Sequence, residues 1–139
     1  MIEFHYETEF TLENEKYYAD WISRIISSET HDTNELNFIF CDDAYLLNLN
    51  QQFLDHDTFT DIITFDYSEN GLVSGDVFIS VERVIENSLD FGSSFLEELR
   101  RVMAHGVLHL LGYNDKTVKE QKVMRVKENE KLNMFHVEQ

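Results

Sequence analysis

A chain of 139 residues with 42% apolar and 13% aromatic side chains can bury a core of its own, which excludes a disordered tail. Its one cysteine, Cys41, excludes an internal disulfide framework and argues against a disulfide-linked partner. The formal charge of −16 excludes a general nucleic-acid coat protein, because phosphate binding draws its affinity from Lys and Arg.

From the start of the chain, Ile2, Phe4 and Tyr6 alternate with Glu3, His5 and Glu7, as in a half-buried strand with His5 on the polar side. Tyr17, Tyr18, Trp21, Ile22, Ile25 and Ile26 recur at helical spacing and predict an amphipathic helix over 13–28. His31 falls in a polar loop. ELNFIFC is a second strand carrying Cys41 as a reduced core residue, and Asp42 caps a helix through Leu46, Leu49 and Phe53. DIITFDY and LVSGDVFISV read as a hairpin around residues 68–71, followed by a short helix in ERVIENSLDF. Ser94-x-x-Glu97 is a capping box that opens a helix to about 111, stopped by Gly112; Thr117-x-x-Glu120 opens a last helix to about Leu132. The order predicts one α+β domain over 1–139, a mixed, roughly four-stranded sheet covered by helices. No stretch has a signal peptide's pattern or is long and apolar enough to span a bilayer, so a cytoplasmic protein without a membrane partner is expected.

The helix from Ser94 carries the chemistry. His105 and His109 lie one turn apart and project together, so they can share one ion. Gly112 permits a left-handed exit that can swing Asp115 back as a third ligand, completing H-x-x-x-H-x-x-G-x-x-D. A zinc peptidase with HExxH needs its glutamate as base; Gly106 stands in that place, so the peptidase reading lacks its base. Charge is also uneven: residues 1–99 hold 3 basic and 22 acidic side chains, residues 100–139 hold 8 basic and 5 acidic. Arg100, Arg101, Lys116, Lys119, Lys122, Arg125, Lys127 and Lys131 therefore gather around the motif, either as a solvated face or as a basic rim for an anionic substrate.

HGVLHLLGY resembles the H-G-x-L-H-L-x-G-Y-D-H motif of the YbeY-type ribosomal RNA maturation factors, which are metal-dependent endoribonucleases. Upstream, Asp57, Thr60, Asp61, Ile62, Ile63, Thr64 and Phe65 echo that family's D-x-P-T-D-V-L-S-F, and Gly75, Asp76, Val77, Ile79 and Ser80 its L-G-D-I-x-I-S. Three positions depart: Asp115 replaces the third histidine, Phe53-Leu54 a tyrosine-arginine pair, and Phe59 a proline.

The resemblance implies one Zn2+ per chain on His105, His109 and Asp115, single-stranded ribosomal RNA as substrate, and the small ribosomal subunit as partner. Loss of the arginine at Leu54 leaves Arg100, Arg101 and Lys116 as candidates to contact phosphate, by proximity in sequence only. It also favours the alternative of a metal-stabilised assembly factor that binds without cutting. Asp57 and Asp61 either orient the site or cap turns, and Asp76 and Ser80 read equally well as plain strand residues. His56 is expected in an exposed loop, and His136 exposed near the end, as a substitute ligand should Asp115 not serve.

Overall fold

Alternation along the strands decides which face each residue serves. The structure is a computed structural model that describes residues 1–54, the last of them by its backbone alone, and 60–135. In chain order the elements are β1 (Ile2–Tyr6), α1 (Glu15–Ser28), β2 (Asp32–Cys41), α2 (Asp43–Leu54), β3 (Ile62–Asp66), β4 (Leu72–Ser80), α3 (Val81–Phe91), α4 (Phe95–Leu110) and α5 (Val118–Met134). The sheet order is β1-β2-β4-β3, with β1, β2 and β4 parallel and β3 antiparallel to β4. Parallel neighbours require crossovers, which α1 supplies between β1 and β2. The expected α+β class, the mixed four-stranded sheet and the hairpin are all present.

On one face Leu36, Phe38 and Phe40 of β2 and Val73, Val77 and Ile79 of β4 are buried against Trp21, Ile22, Ile25 and Ile26 of α1 and Leu99, Met103 and Val107 of α4. The aromatic stripe of α1 is thus core. On the other face α2 covers a smaller cluster of Cys41, Leu46 and Ile63, and Asp42 caps α2 through its Oδ1, which accepts the Tyr45 N–H at 2.8 Å. Burial pushes the Cys41 thiol up to about 12, so it stays protonated at neutral pH. His5 lies on the polar face as expected, with Nε2 3.1 Å from Asn37 Oδ1.

Strand β2 starts three residues earlier than its apolar run, because the Asp32 N–H donates to the Gly71 carbonyl at 2.9 Å and a register shift at Thr33/Leu36 takes up the polar residues. The last helix departs further from a solvated face. Its buried residues are Met124, Glu128 and Lys131, and two of the three are charged. Lys131 is fully buried; its Nζ donates to Glu29 Oε2 at 2.7 Å, Glu130 Oε1 at 2.8 Å and Ser28 Oγ at 2.9 Å. Glu29 also accepts from Lys127 Nζ at 3.0 Å and from the Tyr113 hydroxyl at 2.6 Å.

Burial alone would raise the Glu29 carboxyl, but the Lys131, Tyr113 and Lys127 hydrogen bonds outweigh it and hold its pKa down at about 2, from the usual 4.5. A carboxylate depressed in the folded state adds stability above its unfolded pKa and loses it as pH falls toward the folded one. Glu29 therefore contributes on the order of 3 kcal/mol at neutral pH, lost between about pH 5 and 2. Urea unfolding of wild type and Glu29→Gln should differ by about that much at pH 7 and converge at low pH; a gap that persists to pH 2 would show that the ionised carboxylate is not its source.

Candidate metal centre

Helix α4 is phased by its cap. The Ser94 Oγ accepts the Glu97 N–H at 3.1 Å while the Glu97 carboxylate accepts the Ser94 N–H at 3.1 Å, the reciprocal box expected at this start. Eleven residues on, His105 and His109 share the outer edge of the helix, with ring centroids 4.5 Å apart. The helix then ends as Gly112 takes φ +103°, a conformation that L side chains rarely adopt, and the Tyr113 N–H returns to the Leu108 carbonyl at 3.0 Å. That reversal carries Asp115 back: its Oδ2 lies 3.1 Å from His105 Nε2 and 3.2 Å from His109 Nε2, and the two Nε2 atoms are 2.9 Å apart.

The far sides of both rings are fixed. His109 Nδ1 is 3.0 Å from the Tyr113 carbonyl oxygen. A carbonyl only accepts, so Nδ1 carries the proton and Nε2 presents its lone pair. His105 Nδ1 donates to Glu128 Oε2 at 2.7 Å. Burial pushes Glu128 upward, but the His105 and Arg101 hydrogen bonds prevail and its carboxyl sits below the ordinary range, an ionised acceptor. Burial disfavours charge on His105 too, yet Glu128, Asp115 and Asp61 raise its pKa on balance. With both Nδ1 atoms protonated, three acceptors converge within 3.2 Å of one another, an arrangement that needs a cation or a shared proton at its centre.

The donor set suits a metal ion. Two neutral imidazoles and a carboxylate are ligands that zinc accepts, and a tetrahedral ion with bonds of about 2.0–2.1 Å sets its ligand atoms roughly 3.3 Å apart. The observed separations lie within a few tenths of an ångström of that, and among the described residues these three form the group able to hold an ion. They open onto a cleft of about 550 Å3 bounded by Thr60–Thr64, Asn50, Asn114 and Lys116.

Of the sequence candidates, Lys116 lines this cleft. Arg100 is turned away, its guanidinium 4.1 Å over the Phe135 ring and its Nε 3.4 Å from the Tyr18 hydroxyl. Arg101 is held by Glu128 and Asn129, both at 2.9 Å. Lys127 and Lys131 are committed to Glu29, so the expected basic rim contracts to Lys116, Lys119, Lys122 and Arg125, which are exposed. Asp61 borders the cleft, accepts from Asn87 Nδ2 at 3.1 Å, and is raised above the ordinary carboxylate range by burial. Ser80 instead caps α3 and donates to Asp43 Oδ1 at 2.6 Å, while Asp76 accepts from Asn37 at 3.1 Å on the sheet's polar face. His31 Nδ1 lies 2.7 Å from the Glu29 carbonyl oxygen, away from the site. His56, Asp57, Phe59, His136 and the Leu54 side chain lie outside the described residues.

Gly106 explains the absent glutamate. It faces the sheet, and a Cβ there would come 2.8 Å from Ile62 Cδ1 and 3.0 Å from Val77 Cγ1. A side chain at this position would overlap Ile62 and Val77 unless they moved.

A sequence model of the family described as Endoribonuclease YbeY matches residues 2–136. The chain belongs to the YbeY endoribonuclease family. A YbeY relative from Flavobacterium johnsoniae, named Endoribonuclease YbeY, is 56% identical over 139 residues, all of both chains. Another of the same name from Flavobacterium psychrophilum is 54% identical over all of this chain and 99% of its own. The solution structure of a Thermotoga maritima protein superposes with a TM-score of 0.69 at 29% identity, over 97% of this chain and 89% of that one. Two parts of this YbeY site escaped sequence reasoning. Glu128 stands in a helix whose other charges mask it, and the Tyr113 carbonyl is a backbone group; the signal available was Glu128's spacing from Met124 and Lys131, which puts the three on one face.

Proposed function

We propose that this chain is a zinc-dependent, single-strand-specific endoribonuclease of ribosomal RNA maturation and quality control, working in the cytoplasm on the small ribosomal subunit. The observation that carries the reading is the convergence of His105 Nε2, His109 Nε2 and Asp115 Oδ2 within 3.2 Å of one another, with both rings anchored from behind, at the wall of an open cleft. These three residues would hold one Zn2+. Such an ion lowers the pKa of a bound water and polarises a phosphoryl oxygen, which suits phosphodiester hydrolysis without the glutamate that Gly106 replaces. The chain's own residues do the rest: Glu128 and the Tyr113 carbonyl keep the imidazoles in register, and Lys116 offers an ammonium to the RNA backbone. β3, the edge strand beside β4, runs along the same cleft.

The test is metal content and RNA turnover together. Protein purified without chelators should carry one zinc per chain and cut unpaired RNA, and Asp115→Ala should lose most of both; a wild type that refuses zinc when supplied with it would sink the proposal. Few cations face the cleft, so RNA affinity should fall with salt only modestly. With four exposed basic residues left in this part of the chain, Lys116 among them lining the cleft, the slope of log K against log salt should be no steeper than about −3. Affinity indifferent to salt would remove the phosphate-contacting surface from the account. The acidic remainder of the surface favours a second reading, an assembly factor that binds without cutting. Metal-bound protein that associates with the subunit but leaves every RNA intact would establish it.

A further inference from the structure

Behind His105 lies a second hollow of about 240 Å3, which shares Asp61, Ile62 and His105 with the cleft as a common wall. Its other side carries Glu98, a buried residue only 6% exposed, whose carboxylate has no hydrogen bond or ion pair among the described residues. Glu98 lines this hollow together with Asp61 and Glu128, which repel its charge, and Arg101 and Arg125, which attract it. Its oxygens are open to the hollow and meet no protein donor among the described residues, so a ligand that brings N–H groups can pair with them. At the mouth stand Phe91, 69% exposed, and the loosely held guanidinium of Arg125. A ring to stack on, a cation at the rim and an acceptor open to the hollow are what an unpaired base and its phosphate require.

We propose that this hollow is a base-binding subsite in which Glu98 reads an unpaired guanine next to the phosphate that is cut. The inference rests on the endoribonuclease reading above. Guanine fits because its Watson–Crick edge sets two donors, N1–H and N2–H, side by side, matching the two oxygens of one carboxylate. Uracil offers one donor between two carbonyls, which a carboxylate repels; adenine and cytosine each pair one donor with one acceptor. Asn87 stands beside Glu98 with its amide nitrogen already given to Asp61, which leaves its carbonyl as a further acceptor. Arg125 meets the backbone of the same nucleotide, and Phe91 takes the face of the base.

Two measurements on the full chain test this. In the first, the four nucleoside 5′-monophosphates are titrated and followed by amide shifts. Guanosine monophosphate should bind roughly tenfold or more tightly than uridine monophosphate, with shifts around Asn87 and Glu98. Glu98→Gln, which keeps the shape but replaces one acceptor by a donor, should erase that difference, whereas Phe91→Ala should weaken all four alike. In the second, a short unpaired RNA with one guanosine in a run of adenosine and uridine is digested and its cuts are mapped. Cuts should gather beside the guanosine in wild type and spread in Glu98→Gln. Equal binding of the four nucleotides, guanine preference that survives Glu98→Gln, or guanosine monophosphate binding without any bias in the cuts would each overturn the subsite. Failure to cut any RNA would instead fall on the endoribonuclease reading, and the nucleotide titration would still decide whether the hollow takes guanine.

Discussion

His109→Ala is expected to reduce RNA cleavage by more than about 100-fold and to strip zinc from the protein, while the far-UV spectrum stays that of wild type. Its Nε2 is one of three atoms that converge on the centre among the described residues, 2.9 Å from His105 Nε2 and 3.2 Å from Asp115 Oδ2. Its loss leaves one imidazole and one carboxylate, too few to hold an ion firmly while leaving room for water. The fold should tolerate the change, since the ring lies at the partly exposed edge of α4 and alanine is a strong helix former. A graded comparison sharpens the result. Glu128→Gln keeps an acceptor near His105 Nδ1 but removes the negative charge and the Arg101 ion pair, and groups in that position are worth about 10- to 100-fold in metal affinity or activity. Cleavage should therefore fall in the order wild type, Glu128→Gln, His109→Ala, with bound zinc falling in step. Full activity in His109→Ala would remove the metal from the mechanism.

Gly106→Glu, the change that writes HExxH into the chain, is expected to unfold the protein and to create no peptidase. Even the Cβ it introduces meets Val77 Cγ1 at 3.0 Å and Ile62 Cδ1 at 2.8 Å, and valine on a central strand has little freedom to yield. The remaining atoms would press a carboxylate beneath α4 against Ile62, Val77 and Thr64. Overpacking and an unpaired buried charge together cost more than about 4 kcal/mol, a large part of a typical domain's stability. Urea titration should show a collapsed midpoint or no folded baseline, and Gly106→Ala a smaller loss from the same contacts. A stable Gly106→Glu that hydrolyses peptides with zinc would refute this account of position 106.

Much of the architecture was legible because local signals were strong. The Ser94 and Thr117 boxes set the starts of α4 and α5, the alternation in DIITFDY and LVSGDVFISV set the hairpin, and the histidine spacing with Gly112 brought Asp115 to the rings. What stayed hidden was long-range. No pattern within α5 tells that Lys131 is buried, because the burial depends on Glu29, 102 positions away, turning inward to meet it. The same blindness made the basic run look like a rim: charges that seem free in a sequence are consumed by partners that only the fold supplies, as Arg101 is by Glu128 and Arg100 by the face of Phe135. Sheet order was equally out of reach, since alternation reports which face a residue serves and says nothing about which strand lies beside it.

α5 follows the sheet, α4 and all three ligands in chain order, so it is synthesised after them. Glu128, which steadies His105, and Lys131, which neutralises Glu29 and through it Tyr113 and the carbonyl behind His109, both arrive with that last helix. A chain that already holds the sheet, α4 and all three ligands but not α5 leaves His105 Nδ1 without Glu128 and Glu29 with Tyr113 but without its two lysines. The brace on His105 and the lysines on Glu29 therefore come together, when α5 docks. A polypeptide interrupted before Glu128 would keep the histidine motif intact and lack the carboxylate that holds His105 Nδ1.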